Sequence, residues 1–305
     1  MGNWLQACTL CGSADLIPLQ GYEKHFLCSC GSCGFVMAGK IPTAGELSAH
    51  YEGYGRNDYL SPVTIRRYHQ LLDKFEKARK TGKLLDVGCG VGYFLEVAKE
   101  RGWEVYGTEY TDAAIKICTD KGIKMHKGQL DPANYAPESF DIITSFEVIE
   151  HINTPLSEMT NITSLLRKGG YFYVTTPNFN SLLRYHLKDA YNVIGWPEHL
   201  SYYTPKTLEF LMKKNHLKKV FIQSTGISVT RLLTSSQAAS RKATNSKTKP
   251  SEEGTLFIAA GTHDEKLRNS FEKNILLGGL KSGVNTMLTL TGKGDALKGL
   301  FQKNR

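Results

Sequence analysis

A short apolar segment of this chain runs directly into a glycine-rich turn, and few folds accommodate that junction. The segment LLDVGCGVGYFL, residues 84–95, contains three glycines within five residues and then enters a helical pattern. Glycines here let a ligand approach the backbone in front of a helix N-terminus. A second apolar segment, 104–109, ends at Glu109, whose carboxylate could accept hydrogen bonds from both hydroxyls of a ribose. This order predicts a nucleoside site.

The spacing of the glycines narrows the kind of nucleoside. The dinucleotide fingerprint is G-x-G-x-x-G, whereas Gly88, Gly90 and Gly92 follow a G-x-G-x-G spacing. Asp86 precedes the turn, and a carboxylate is a poor neighbour for a pyrophosphate but a good one for an ammonium group. The turn therefore disfavours an NAD(P) enzyme.

Strand and helix patterns alternate through the middle of the chain. An amphipathic helix is predicted at 63–80, with Ile65, Tyr68 and Leu72 at helical spacing. Such alternation is typical of a mostly parallel sheet with helices on both faces. The strands are predicted at 84–87, 104–109, 123–128, 140–146, 171–178, 218–226 and 296–303. The helix before the fifth strand is expected to end at the Gly-Gly pair of LLRKGG.

Five of the seven cysteines lie within the first 33 residues. Two C-x-x-C pairs, separated by 18 residues, match the spacing of a zinc ribbon, in which two thiolate pairs close a tetrahedron around the metal. Four thiolates leave no open coordination position, so we expect a structural zinc. The ligands are predicted to be Cys8, Cys11, Cys30 and Cys33, with Cys28 left over and His25 as a substitute ligand.

At this point the chain resembles a known family, the class I S-adenosylmethionine (SAM)-dependent methyltransferases. LLDVGCGVGYFL resembles the first motif, EVYGTE the second-strand motif, FDIITSFEVIEHI the fourth-strand motif and LLRKGGYFYVTTPN the fifth-strand region. The likeness covers about residues 80–225. The N-terminal CTLCGS and CGSCGFVMAGKIPT, with PEHLSYYTPKTLEFLMKKN, are similar to a zinc-ribbon subgroup associated with sugar, glycan or natural-product modification.

The resemblance implies a role for each residue of the nucleoside site. The three glycines would lie against the methionyl part of SAM, Asp86 would orient its amino group, and Glu109 would hold the ribose. Gln129 and Leu130 would recognise the adenine, and the family often has Asp where this chain has Gln129. Phe146 and Glu147 would border the methyl-donor pocket. Phe146 could instead be a core residue, and Glu147 a loop acid or helix cap.

Methyl transfer to a hydroxyl requires a base, and two histidines are candidates. His199 lies in a Pro/aromatic loop, GWPEHLSYYT, after the fifth strand, and His151 follows the fourth strand. Each could equally be a structural histidine. The nearby Tyr202 and Tyr203 could line an acceptor pocket or serve packing.

These patterns together predict an α/β fold, a Rossmann-like methyltransferase sheet with an N-terminal zinc ribbon and a partly helical C-terminal extension. The domains are expected at 1–40 (zinc ribbon), 41–80 (linker and amphipathic helix), 81–228 (SAM-binding domain) and 229–305 (polar loop, helical insertion and last strand). The cofactors implied are SAM and a structural zinc ion.

The net charge of +9 leaves other functions open. An RNA methyltransferase is compatible with a ribbon and a basic chain, but no dense Lys/Arg stripe interleaved with aromatics is present. A non-catalytic scaffold with a vestigial SAM site is a second alternative, which the intact glycine turn and Glu109 disfavour. The expected acceptor is a small molecule or a sugar or glycan, most readily at a hydroxyl oxygen, rather than a nucleic acid.

Location and assembly are less constrained by the sequence. The sequence contains no apolar run of about 18 residues, so no membrane span is predicted. The N-terminus lacks the pattern of a secretory signal. A cytoplasmic protein is expected, with peripheral membrane contact through the basic late segments as an alternative. The sequence does not fix the oligomeric state.

Overall fold

The computed structural model describes residues 3–43, 45–47, 60–227 and 275–304. In chain order the strands are β1 Asn3–Trp4, β2 Leu16–Pro18, β3 Leu27–Cys30, β4 Val36–Ala38, β5 Lys40–Ile41, β6 Lys83–Val87, β7 Glu104–Glu109, β8 Lys124–Lys127, β9 Phe140–Phe146, β10 Leu166–Pro177, β11 Ser201–Tyr202, β12 Leu217–Thr225 and β13 Ala296–Lys303. The helices are α1 Pro62–Phe75, α2 Tyr93–Glu100, α3 Asp112–Asp120, α4 Pro155–Leu165, α5 Leu182–Leu187, α6 Pro205–Lys214 and α7 Ile275–Thr291.

The chain divides into two units, and each draws on separated stretches of sequence. The cysteine unit contains residues 1–59, 177–204 and 224–296. The sheet unit contains residues 60–176, 205–223 and 297–305.

The sheet unit is built on a seven-stranded sheet in the order β12-β13-β10-β9-β6-β7-β8. The pairs β6–β7, β7–β8, β6–β9 and β9–β10 are parallel. Strands β6 and β9 occupy the middle of the sheet and are almost completely buried, as their continuous apolar runs require. The α/β fold with a mostly parallel sheet is therefore confirmed, and the strand expected at 296–303 is β13.

Helix α1 confirms the amphipathic pattern that precedes the sheet. Ser61 caps its N-terminus, since the Ser61 side chain accepts a hydrogen bond from the Thr64 amide. Leu72 and Phe75 are fully buried in the hydrophobic core, against which Ile65 packs. This apolar face fixes α1 to the sheet unit.

The helix before β10 is shorter than predicted. Helix α4 ends at Leu165, and the RKGG segment belongs to β10, whose register shifts between Leu166 and Tyr171. A methyl group built on Gly170 would lie 2.8 Å from the Asp141 carbonyl oxygen. The second glycine is therefore needed for a close approach of two strands rather than for a helix end.

The cysteine unit has a smaller, antiparallel sheet in the order β11-β4-β3-β2, while β1 pairs with β5. Its core contains Tyr202 and Tyr203, whose rings contact Phe179 and Phe35 at centroid distances of 5.6 and 5.2 Å. Both tyrosines are buried, which favours the packing alternative for them.

Some expectations fall outside the described residues. The polar loop and the stretch GTLFIAAG lie within residues 228–274, which are not described. The helical pattern that follows is observed from Ile275 as α7. Among the described helices, none is long and apolar enough to cross a membrane.

Candidate functional site

The glycine turn joins β6 to α2 at the carboxyl end of the sheet. Gly88, Gly90 and Gly92 have φ angles of +70°, +55° and +77°, which glycine adopts without strain. A methyl group built on Gly88 would lie 2.6 Å from Cγ2 of Val148, and one on Gly92 would lie 2.8 Å from Sγ of Cys118. Two of the three glycines are thus required by contacts within the protein itself.

Glu109 lies at the end of β7 and is hydrogen bonded to the glycine turn. Its Oε2 accepts from the amide of Gly90 at 3.1 Å. Its Oε1 accepts from the amides of Tyr110 and Thr111 at 2.9 and 3.2 Å. The sequence placed the acid and the turn at the same sheet edge, but the bonds that fix both carboxylate oxygens were not foreseen.

Asp86 is buried below the turn, with 3% of its surface exposed. Its Oδ1 accepts a hydrogen bond of 2.7 Å from the Thr144 hydroxyl. Burial raises the pKa of Asp86 to about 8, although the Thr144 hydrogen bond acts in the opposite direction. A cationic group that approaches a buried carboxyl group of this kind stabilises its ionised form.

Gln129 and Leu130 follow β8, the strand at the edge beside β7. The Gln129 side chain is exposed and donates from Nε2 to Oε2 of Glu158 at 3.2 Å. Leu130 is buried, and its carbonyl accepts from Nδ2 of Asn161 at 3.3 Å. Both bonds come from α4, so that helix positions this loop.

Phe146 and Glu147 follow one another at the carboxyl end of β9. The Phe146 ring packs against Phe94, with 5.0 Å between the ring centroids, and against Tyr173. Phe146 therefore serves the core at least in part. Glu147 is exposed and has φ +54°, a left-handed conformation that costs a non-glycine residue free energy.

The two candidate bases belong to different units. His151 lies in the sheet unit, at the end of the 3₁₀ turn Ile149–His151. Its neighbour Glu150 is buried and accepts a hydrogen bond of 2.9 Å from the Thr176 hydroxyl. His199 lies in the cysteine unit, with Nδ1 2.6 Å from the Val193 carbonyl oxygen. Because a carbonyl only accepts, the proton is on Nδ1, and Nε2 is the nitrogen that can take up a proton.

The four predicted cysteine ligands come together in the cysteine unit. Their Sγ atoms all lie within 4.8 Å of one another, with 3.7 Å between Cys8 and Cys33 and 3.4 Å between Cys11 and Cys30. The backbone forms the same turn at each pair: Gly12 donates to Cys8 O and Gly34 to Cys30 O, both at 2.8 Å. These thiols could hold a metal ion.

Cys28 lies outside this cluster. Its Sγ is 3.5 Å from the Met37 carbonyl oxygen, and it is buried. The described cluster contains neither Cys28 nor His25.

Sequence reasoning missed Glu158, a buried acid on α4. Residue 158 lies at helical spacing with Ile162 and Leu165, both buried in the same helix. An acid at an apolar position of a helix was the signal available.

Comparison with known proteins gives related sequences over the same region. A profile of the methyltransferase domain matches residues 59–220. The chain is 30% identical over 105 residues to a ubiquinone biosynthesis O-methyltransferase of Stutzerimonas stutzeri, covering 32% of this chain and 45% of that protein. It is 32% identical over 113 residues to the protein of the same name from Pseudomonas syringae pv. tomato, covering 34% and 49%. The chain spans about half the length of the curated relatives that it matches.

Solved structures share the fold at low sequence identity. A SAM-dependent methyltransferase from Archaeoglobus fulgidus matches with a TM-score of 0.51 and 18% identity, covering 84% of this chain and 99% of that one. A putative sarcosine dimethylglycine methyltransferase from Galdieria sulphuraria gives 0.52 and 15%, covering 84% and 97%. The fold is thus Rossmann-like, and since the profile spans more than half of the sequence, the chain belongs to the methyltransferase domain family.

Proposed function

We propose that this protein transfers a methyl group from SAM to a hydroxyl oxygen of a small-molecule acceptor. The observation that carries the proposal is the 3.1 Å hydrogen bond between the Gly90 amide and Glu109. This bond joins the glycine turn to Glu109, the residue proposed to hold the ribose. Both lie at the carboxyl ends of two adjacent parallel strands, where open α/β sheets bind their ligands.

The residues present fit SAM as a cofactor. Asp86 is a buried carboxylate whose raised pKa means that a cationic partner, such as the methionyl ammonium group, would stabilise its charged form. Oε1 of Glu109 already accepts from the amides of Tyr110 and Thr111, whereas Oε2 accepts from the Gly90 amide and can take a second hydrogen bond, from a ribose hydroxyl. Bound SAM would supply an electrophilic methyl group on a sulfonium, and the chain would supply binding and alignment.

The acceptor proposal has separate support. The curated relatives are named ubiquinone biosynthesis O-methyltransferase, and an O-methyltransferase transfers its methyl group to an oxygen atom. A hydroxyl must lose a proton during the reaction, and His199 has its proton held on Nδ1, so its Nε2 is suited to that role. His151 is the second candidate base. A sugar or glycan acceptor is a narrower form of the proposal and rests on the ribbon resemblance alone.

We also propose that the four clustered cysteines bind one structural zinc ion. A tetrahedral site with Zn–S bonds of about 2.3 Å places its sulfur atoms about 3.8 Å apart. The sulfur separations of 3.4 and 3.7 Å are close to that value, and all four sulfur atoms lie within 4.8 Å of one another. The ion would fasten the two C-x-x-C turns, and four sulfur ligands leave it no position for a substrate.

Calorimetric titration of SAM and S-adenosylhomocysteine (SAH) tests the nucleoside site. We expect about one site per chain, and a loss of affinity of about 10- to 100-fold in Glu109→Ala, since hydrogen bonds to a charged group contribute roughly 1.5–3 kcal/mol. Glu104→Ala is the matched control, because Glu104 begins the same strand and its carboxylate pairs with Lys124. Equal losses in both variants, or no binding by the folded wild type, would reject the assignment.

A methylation assay with a panel of phenolic and sugar hydroxyl acceptors then tests the chemistry. For an acceptor that turns over, we expect His199→Ala to lower kcat while SAH affinity is unchanged. Parallel losses in kcat and SAH affinity would instead give His199 a structural role.

A further inference from the structure

Glu158 is a carboxylate in a position where packing calls for an apolar side chain. It is 3% exposed on α4, whose buried residues also include Met159, Ile162 and Leu165. Burying an ionised carboxylate costs free energy unless it is hydrogen bonded. Its described hydrogen bond is the one from Gln129 Nε2, at 3.2 Å. Packing in the core of the sheet unit therefore does not explain why position 158 carries a carboxylate.

The location of Glu158 links it to the loop at 129–130. Glu158 holds the Gln129 side chain, and Asn161, three residues later on α4, holds the Leu130 carbonyl at 3.3 Å. Two side chains of one helix thus fix two consecutive residues of the loop. Helix α4 thus positions the loop, while Gln129 remains exposed to solvent.

The same carboxylate acts on the residue that follows Glu109. Burial raises the pKa of Tyr110, and the negative charges of Glu158 and Glu109 raise this pKa further. Both carboxylates are therefore close enough to influence one phenol. Tyr110 is 64% exposed, so an aromatic residue follows Glu109 at the surface. Across the β7–β8 pair, Glu109 lies opposite Lys127, two residues before Gln129, and the Gly128 amide donates to the Glu109 carbonyl at 2.8 Å. Gln129 and Glu109 therefore lie at the same edge of the sheet unit.

We propose that Glu158 orients the Gln129 amide so that the site selects a purine with a 6-amino group over one with a 6-oxo group. The proposal rests on the SAM-binding function and specifies how its base is recognised. The Nε2 amino group of Gln129 is the donor in its bond to Glu158 Oε2, and this bond favours the ionised carboxylate, which can only accept. The Oε1 carbonyl of the same planar amide then points away, toward the exposed side, where it can accept from an amino group.

This arrangement makes selection depend on a residue that does not touch the base. A free glutamine amide could present either its oxygen or its nitrogen, and would accept adenine and hypoxanthine alike. With the amide fixed, a 6-oxo group would bring two acceptor oxygens together, and neither would be hydrogen bonded. Glu158 is thus a positioning residue, and Gln129 is the residue that would contact the base.

The test compares two ligands by calorimetry: SAH and its 6-oxo analogue, S-inosylhomocysteine. Wild type is expected to bind SAH at least about tenfold more tightly than the analogue, the size of effect that one unpaired buried polar group produces. Glu158→Leu removes the anchor while retaining an apolar fit, and its preference should fall below about threefold. Glu158→Gln retains the shape and the hydrogen bond but can also donate, so it no longer imposes one orientation on Gln129, and its preference should fall below that of wild type.

The outcomes separate this proposal from the function on which it rests. No binding of either ligand by folded wild type rejects the SAM site itself. Binding of SAH without preference over the analogue overturns the selection proposal alone, as does a wild-type ratio in Glu158→Leu. If Glu158→Leu does not fold, Gln129→Leu gives the same test, because Gln129 is exposed and its amide is the proposed contact. A retained preference in Gln129→Leu would overturn the proposal.

Discussion

Asp86 is the residue of the proposed nucleoside site whose charge is most affected by its environment. Because burial raises its pKa from 3.8 to about 8, the folded apo protein keeps this proton over a range where the unfolded chain releases it. Stability therefore falls as pH rises from about 4 to 8, by on the order of 1 kcal/mol per pH unit from this group. Asp86→Asn, which retains the acceptor for Thr144, should remove that loss. Urea unfolding of both proteins at pH 5, 6, 7 and 8 measures it.

The advantage of Asp86→Asn over wild type should grow steadily across this series, while its affinity for SAM should fall. A constant difference at all four pH values would mean that Asp86 is ionised throughout in the apo protein. The sequence could identify Asp86 as a candidate, but it carried no information on burial, which fixes the charge state.

At the scale of elements, Asp141 joins three parts of the sheet unit. It is fully buried on β9, accepts from the amides of Lys80 and Gly82 at 2.7 Å each, and pairs with the Arg167 guanidinium on β10. Asp141→Asn should cost about 3 kcal/mol of unfolding free energy, because it leaves a largely buried arginine without its charged partner. Chemical denaturation measures this loss.

Glu209→Gln is the control for that measurement. Glu209 pairs with Lys213 and Lys219, both well exposed, so its loss should cost less than about 1 kcal/mol. Equal costs for the two variants would show that the Asp141 network does not stabilise the fold.

The elements also show what sequence can predict. The parallel strands, α1 and the Glu109 position follow from apolar periodicity and local spacing, which are properties of short stretches. Glu158 with Gln129, and Asp141 with Arg167, are pairs 29 and 26 residues apart. Nothing local marks such a pair, because the partner is set by how strands and helices pack. Strand β11 has two residues, too few to show a period.

At the scale of the whole molecule, metal content distinguishes the cysteine cluster from the other buried thiols. We expect about one zinc ion per chain in the purified protein, and loss of most of it in Cys11→Ser, because a structural site rarely survives removal of a ligand. Cys28→Ser is the matched control: it changes a buried cysteine of the same unit whose sulfur lies outside the cluster. Elemental analysis gives the stoichiometry, and equal losses in the two variants would contradict the assignment.

Strand β11 lies far along the sequence from the strand with which it pairs, and this separation affects folding during synthesis. Residues 201–202 pair with β4 at 36–37, so the small sheet gains its fourth strand only after most of the chain has been synthesised. Until then β4 presents an unpaired strand edge, which is prone to association with other chains. A ribosome-bound chain that ends before residue 201 cannot complete this sheet, whatever metal is available. An early translational stop would therefore release a product with an open edge, not a smaller finished unit.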